Sequence, residues 1–474
     1  MSCTEPNKRA KKDDLSGQHA VVIGASMAGL LAGRVLSDHF GSVTLIERDR
    51  LLKGAEARKG VPQGQHVHAL LKRGATILEN FFPDLSPALA QGGAPFVDTI
   101  ADVCWYHFGL WKAHFPSGIT GYIQSRPFLE GCVRDCLAQR ANVRFLDGCE
   151  VTGLCASADH TRVTGVRLRY CDAEHRQEEL AAQLVVDASG RGSQAPQWLM
   201  SMGYPGVEES IVKVDVGYAS RIYRHLDQTC LDQKALIIYP TPPHSKRAGY
   251  IFPIEGGCWM VTLAGWLRDS PPGDDSGFLD YARSLPVPNL YEAIKDAETL
   301  TPIVTHKFPA NRRRHYERIP RFPDSFVVLG DAACSFNPIY GQGMATAALE
   351  AHTLSNCLHQ HLRVHGDLQG FAHRFQKKVA RVVRVPWLLA TGEDFRYPET
   401  EGHRPPGMRL LNWYAGRVHE LAGSHPLTTL RFYEVLHMLK SPAALFEPRI
   451  MFAVLFGRRP SRHRFTLPTP LDRG

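Results

Sequence analysis

Residues 20–47 read AVVIGASMAGLLAGRVLSDHFGSVTLIE, and this stretch decides the fold. An apolar run at 19–23 predicts a buried strand, the spacing of apolar residues over 27–36 predicts a helix, and 43–46 predicts a second strand. The chain therefore begins with a βαβ unit. Its turn, Gly24-Ala25-Ser26-Met27-Ala28-Gly29, fits G-x-G-x-x-G with Ser26 in the place of the second glycine. The first glycine makes the tight turn, the second lets a pyrophosphate approach the backbone, and the third lets helix and strand pack. Serine is small, and its hydroxyl is able to donate to phosphate. Glu47 closes the second strand, where an acid would bond the ribose of a bound adenosine. Glycine-rich turns also occur in α/β proteins without ligands, so the flanking strand, helix and acid carry the dinucleotide-site expectation.

A second glycine-flanked acid lies in residues 327–344, VVLGDAACSFNPIYGQGM. A strand ends at Leu329, Gly330 gives room, and Asp331 is placed to accept hydrogen bonds from hydroxyls. Gly341-Gln342-Gly343-Met344 then opens a helix, whose free N–H groups and positive dipole end favour negative charge. Two contact points so far apart in sequence suit a cofactor longer than a nicotinamide dinucleotide. FAD fits, with its ribityl hydroxyls at Asp331 and its ring over the small residues Gly341 and Gly343. The alternative for Asp331 is a plain helix cap.

Working outward, residues 51–68 lack periodicity and form a long loop ahead of a helix near 69–80. A helix begins after Ser125, with Pro127 in its first turn. Strands are expected around 166–170 and at 184–187. Between 205 and 315 the runs 211–223, 235–239, 249–254 and 259–267 predict an antiparallel sheet, joined by strand material from 102–115. Residues 326–329 form another buried strand, and 344–390 are helical. The expected organisation is a disordered tail at 1–17, a Rossmann-like cofactor domain in three pieces (18–100, 120–204 and 316–390), a β-sheet substrate domain (101–119 and 205–315), and a helical C-terminal region (391–474). The fold class is thus α/β with α+β character.

Composition bounds the function. The 474 residues are 44% hydrophobic, enough for a large core. The net charge of +8 is spread over short clusters, at Lys8 to Lys12, Arg312 to Arg314 and Arg458 to Arg464, and no nucleic-acid-binding module accompanies them. Eleven cysteines include Cys132 and Cys136 on one helix face, without CxxC pairs or zinc spacing, so no metal site is expected. The polar first 17 residues contain no secretory h-region, no stretch is long and apolar enough for a membrane span, and a cytoplasmic location is the expectation.

These motifs carry a family resemblance. The chain resembles the FAD-dependent monooxygenases of the para-hydroxybenzoate hydroxylase superfold, and within them the bacterial flavin epoxidases that include the polyether epoxidases. The matching residues are Gly24 to Gly29 with Glu47, Arg58 to Gly64 followed by His66 and His68, Ser125-Arg126, Asp187 to Ser193, Asn311 to Arg313, and Gly330-Asp331 through Met344. They span about residues 18–390. The resemblance implies that Arg58 lies near the cofactor phosphates and Arg126 near the ribityl chain. Motifs and resemblance together assign cofactor contact to Gly24, Ser26, Met27, Ala28, Gly29, Glu47, Arg48, Arg58, Val61, Gln63, Arg126, Asp187, Gly190, Gly330, Asp331, Pro338, Gly341, Gly343 and Met344. Gly341, Gly343 and Met344 form the catalytic edge.

The implied reaction inserts one oxygen atom from O2 through a flavin C4a-hydroperoxide into a small hydrophobic substrate. With no obvious general base in the expected pocket, epoxidation of an alkene is favoured over hydroxylation of a phenol. Trp105, Tyr250 and Phe252 are the expected substrate contacts. NADPH or NADH is the electron source. Similar hydroxylases that bind it directly carry Asp-Gly where this chain has Ser189-Gly190, so a separate flavin reductase is an expected partner. The rivals are a flavin halogenase, although its Trp-x-Trp-x-Ile-Pro signature is absent, with Tyr250 to Ile254 the nearest segment; an isoprenoid reductase; and a non-catalytic flavoprotein or a peripheral membrane component using the basic C-terminal segment for weak membrane contact.

Overall fold

A computed structural model describes residues 15, 17–51, 54, 56–58, 60–172, 174–224 and 234–457. The expected tail, apart from Leu15 and Gly17, and the basic segment 458–464 lie outside the described residues.

The opening βαβ unit forms as the pattern requires: strand His19–Ile23, helix Met27–Leu36, strand Ser42–Glu47. These strands sit in a five-stranded parallel sheet, ordered Phe326–Val328, Leu184–Asp187, His19–Ile23, Ser42–Glu47 and Val143–Asp147. The central strands are almost wholly apolar and buried, as parallel strands covered on both faces must be. Helix Met27–Leu36 packs against the 24-residue helix Gln342–His365 and buries eight of its ten residues. A small antiparallel sheet of Gln177–Ala181, Val163–Tyr170 and Cys149–Ala156 adjoins this unit.

The second layer is an eight-stranded sheet. Its order is Cys334–Ser335, Val304–Arg314, Glu209–Arg224, Cys258–Gly265, Arg247–Ile254, Ala235–Ile238, Val103–His107 and Leu110–Trp111. It is antiparallel except where Ala235–Ile238 pairs in parallel with Val103–His107. Alternate residues of a strand face opposite sides. Leu236, Ile251, Val261 and Leu263 pack on two helices, Asp275–Arg283 and Asn289–Ile294, while Ile237, Tyr250, Phe252 and Thr262 turn the other way and line a cavity. Those two helices interrupt a region expected to be all sheet; Asp274 caps the first by accepting from the Gly277 N–H. The helix expected near 69–80 runs Lys72–Phe81, because the chain is still extended at Leu71.

Beyond residue 383, helices Arg384–Asp394, Met408–Leu421, Pro426–Leu436 and Pro448–Phe456 close over the sheet edge. Tyr414, Val418, Phe432, Tyr433, Ile450 and Val454 form one core with Trp105 and Ile119. No helix among the described residues is long and apolar enough to cross a membrane.

Candidate functional site

Two cavities meet where helix Gln342–His365 begins. The first, of about 460 Å³, is lined by the turns that end the parallel strands. It gathers Gly24, Ser26, Met27, Ala28, Glu47, Arg48, Val61, Gln63, Arg126, Gly190, Gly330, Asp331, Pro338, Gly341, Gly343 and Met344. Gly24 has φ +96°, and a Cβ there would come 2.6 Å from the Ala188 carbonyl oxygen. Gly29 is enclosed within the motif instead of lining the cavity: a Cβ would meet the Gly24 carbonyl oxygen at 1.8 Å, the close helix–strand contact that its place in the motif predicts.

Three expected contacts are arranged differently. The Ser26 hydroxyl donates to Glu130 Oε2 at 2.7 Å and accepts from Arg126 Nη2 at 3.0 Å, so its proton is already engaged within the protein. Arg58 is buried behind the wall, paired with Glu130 and, at 3.1 Å, with Glu47. Its charge is satisfied by those carboxylates, so it braces the acid that faces the cavity. Asp187 is fully buried and accepts from the Ser189 N–H and from the Ser189 and Ser193 hydroxyls, which folds the 187–193 turn and leaves no oxygen on the cavity wall. Glu130 carries no sequence motif, yet two arginines and a serine converge on it, and the two arginines and the serine hold its carboxyl below the usual range against the opposing effect of burial.

Glu47 lines the cavity while accepting from the Ala25 and Asp49 N–H groups. Asp331 differs: its carboxylate lines the cavity with no hydrogen bond or ion pair among the described residues. Burial pushes its pKa up, against the pull of Arg191 and Arg126. Gly341, at φ +66°, precedes the helix without a side-chain cap, so the first N–H groups of Gln342–His365 stay open toward the cavity.

The second cavity, of about 290 Å³, is walled by aromatic and aliphatic side chains, Trp105, Tyr250 and Phe252 among them. Gln63, His68, Ala69, His306, Pro338 and Gly341 line both cavities. His66 and His68 both line the aromatic cavity, and His68 reaches the turn-lined cavity as well. Burial pushes His66 down to about 3 and His68 to about 4, so both imidazoles are neutral at pH 7. His306 lies 5.7 Å from His66, ring to ring, and had no motif to mark it.

The loop between the cavities is held from the C-terminal region. Asp394 is fully buried and accepts from Asn311 Nδ2 at 2.7 Å, Tyr340 OH at 2.8 Å, Asn337 Nδ2 at 3.1 Å and Trp266 Nε1 at 3.3 Å. Burial raises its pKa to about 6, against those four donors. Asn337 in turn donates its N–H to Asn311 Oδ1. The position of Pro338 to Gly341 is thus set by a carboxylate more than fifty residues downstream, which no local pattern could signal.

Comparison with known proteins fits this geometry. A family described as FAD binding domain matches residues 18–383. The chain belongs to this FAD-binding-domain family. A relative, Protein Rv3254 of Mycobacterium tuberculosis (strain ATCC 25618 / H37Rv), is 34% identical over 404 residues, covering 84% of this chain and 83% of the relative. The flavin-dependent brominase Bmp2 superposes with a TM-score of 0.64 at 14% identity, over 88% of this chain and 93% of its own. The p-nitrophenol 4-monooxygenase PnpA of Pseudomonas putida DLL-E4 superposes at 0.61 with 15% identity, over 89% and 98%. At such identities the likeness establishes the fold.

The residues present suit FAD. Asp331 offers an unoccupied acceptor, a Cβ at Gly190 or Gly343 would project into open space, and Arg48 and Arg126 supply donors. No group of three or more metal-ligating side chains occurs among the described residues.

Proposed function

We propose that this chain is a flavin-dependent monooxygenase that transfers one oxygen atom of O2 to a hydrophobic substrate in the aromatic cavity, by epoxidation of an alkene in preference to hydroxylation. The observation that carries this reading is the contact between the two cavities along Gln63, His68, Ala69, His306, Pro338 and Gly341. Bound FAD supplies the redox and oxygen-activating chemistry. Asp331, Arg48 and Arg126 would hold and orient it. The open N–H groups at the start of Gln342–His365 stabilise negative charge at the junction. The apolar walls keep water from the reacting centre.

The choice of epoxidation rests on proton chemistry. Contrary to the expectation of a pocket without bases, six histidines (His66, His68, His107, His306, His419 and His437) line the aromatic cavity. Burial makes His66 and His68 weak bases. A base whose pKa lies far below that of a phenol is a poor acceptor for the phenol's proton. Attack by an alkene needs no such acceptor. The electrons come from NADPH or NADH, and Ser189, which is engaged with Asp187, supports delivery through a separate flavin reductase. A weak peripheral membrane contact accompanies this reading, supported by the exposed Met451, Phe452, Leu455 and Phe456 on helix Pro448–Phe456.

The test is turnover under labelled oxygen: the product should gain one atom from O2, and label entering only from water would reject the proposal. A strict requirement for halide would instead indicate a halogenase. Turnover without oxygen would indicate a reductase. Comparing flavin reduction by NADH and NADPH, with and without a reductase, settles the electron route.

A further inference from the structure

Behind the wall that Trp105, His107 and His419 give the aromatic cavity lies a charge that the proposed reaction does not use. Lys112 is 2% exposed, and no carboxylate oxygen lies within 4.0 Å of its Nζ among the described residues. Its nearest acids are engaged elsewhere: Arg396 grips Glu393 at 2.6 and 3.0 Å, and Arg417 pairs with Glu420 at 2.5 Å. The ammonium donates to the His419 carbonyl oxygen at 2.5 Å and lies 5.9 Å from the Trp105 ring centre and 5.7 Å from that of Phe432. Burying a cation away from a directly paired carboxylate is costly, and burial lowers its pKa to about 7 against the pull of Glu393 and Glu420.

Three cavity-lining rings around this charge carry polar atoms without partners. Trp105 Nε1, His107 Nδ1 and His419 Nδ1 are all buried and make no hydrogen bond. The rings form one cluster, with His107 and His419 4.5 Å apart and His107 stacked on Trp105 at 5.9 Å. Indole is a donor only, and a neutral imidazole donates from one nitrogen. Three potential donors and an unbalanced cation together suit a ligand group that is anionic and accepts several hydrogen bonds.

We propose that this end of the cavity is a carboxylate subsite, formed by Trp105, His107 and His419 with Lys112 behind them, and that the substrate is an elongated apolar acid. The inference rests on the aromatic cavity being the substrate cavity. The carboxylate accepts from the rings and balances Lys112, while the apolar body extends past Tyr239 and Phe252 toward Gly341. The three nitrogens are covered by neighbouring side chains, so seating the anion takes rotamer changes of a kind common on binding. Lys112 acts here as a positioning residue through its charge.

Isothermal titration of the FAD-loaded protein with 4-phenylbutyrate and with 4-phenylbutan-1-ol tests this, since the two differ only at the head group. The acid is expected to bind at least about tenfold tighter, as expected for a unit charge about 6 Å away in a partly buried setting. Lys112→Met should bring the two within twofold and leave the alcohol unchanged. His107→Phe, which keeps the ammonium, should weaken the acid alone by about threefold or more. At pH 8, binding of the acid should take up a proton in the wild type, seen as a heat that depends on buffer ionisation, and not in Lys112→Met. The groups facing Lys112 are His107, His419, Glu393 and Glu420, with Arg396 beside both histidines, and the Met variant separates its protonation from theirs. Equal binding of acid and alcohol by the wild type would overturn the subsite whether or not any variant folds, as would a preference that survives Lys112→Met. Flavin content and oxygen labelling on the same preparation report separately on the oxygenase reading.

Discussion

The two cavities meet at Gly341 and are built from opposite materials. The turn-lined cavity is made of backbone: glycines at strand ends, an uncapped helix terminus, and a few acids and arginines whose positions in the sequence are close to those of their motifs. The aromatic cavity is made of side chains from a sheet face and from helices that follow its first strand by more than three hundred residues. Backbone geometry at a phosphate-sized turn tolerates few residue types, so it leaves a local signature. Aromatic walls tolerate many, so they leave none. The difference teaches that, on the proposed reading, cofactor and substrate recognition would be separable, one depending on glycine and charge, the other on packing.

If they are separable, damage to one cavity should spare the other. The largest effect is expected from Gly24→Arg, which fills the turn and strains it at the Ala188 carbonyl: the purified protein should lack flavin absorbance altogether. Asp394→Ala comes next, since it leaves four buried donors without their acceptor. Unfolding free energy should fall by about 3 kcal/mol or more, and the flavin absorption bands should shift because the Asn337 to Gly341 loop lies between both cavities. An unchanged spectrum would place that network outside the site. Asp331→Ala removes one charge-assisted acceptor, and FAD should bind about 10- to 100-fold more weakly by titration of the apoprotein. Full retention of flavin in both Gly24→Arg and Asp331→Ala would sink the cofactor assignment.

Smaller effects sharpen the comparison. Tyr250→Phe lies wholly on the aromatic side and should leave FAD affinity within twofold; a tenfold loss would show the cavities to be one coupled site. The smallest effect concerns pH. Glu350 is fully buried beneath the turn-lined cavity, accepting from the Gly330 N–H at 2.5 Å, and burial raises its pKa to about 8 from an ordinary 4.5. The folded protein therefore holds this proton more tightly than the unfolded chain does, and the associated stability is complete below about pH 4.5 and declines as the pH rises through about 8. Glu350→Gln should match the wild-type melting temperature near pH 4.5 and exceed it at pH 8.5. Parallel melting curves across that range would remove Glu350 from the pH response.

Legibility follows the same division. The βαβ unit was legible to the residue over His19–Ile23 and Met27–Leu36 because strand, turn and helix are contiguous and each has its own period. Asp331 and Gly341 were legible because a strand end and a helix start flank them. Arg58 and Ser26 were assigned to phosphate, but Glu130 claims both; a helix residue seventy-two positions past Arg58 cannot be foreseen as its partner from spacing alone. The strand Val304–Arg314 is polar along VTHKFPANRRR, yet it pairs over ten residues with Glu209–Arg224 and carries Asn311 to the Asp394 network. His306, Lys112 and Asp394 had no local signal, since each acquires its meaning from neighbours brought by other elements.

The sequence by itself determined the parallel sheet, the glycine turn, the second acid motif and hence an FAD-binding fold, because the steric limits on φ and ψ at tight turns restrict residue choice locally. Only the tertiary structure decided which charges face the cavities and which face one another. Charge pairing, burial and the proton affinities of Glu350, Asp394 and Lys112 depend on distances of a few ångströms between residues remote in the chain, and such distances exist only once the layers have packed.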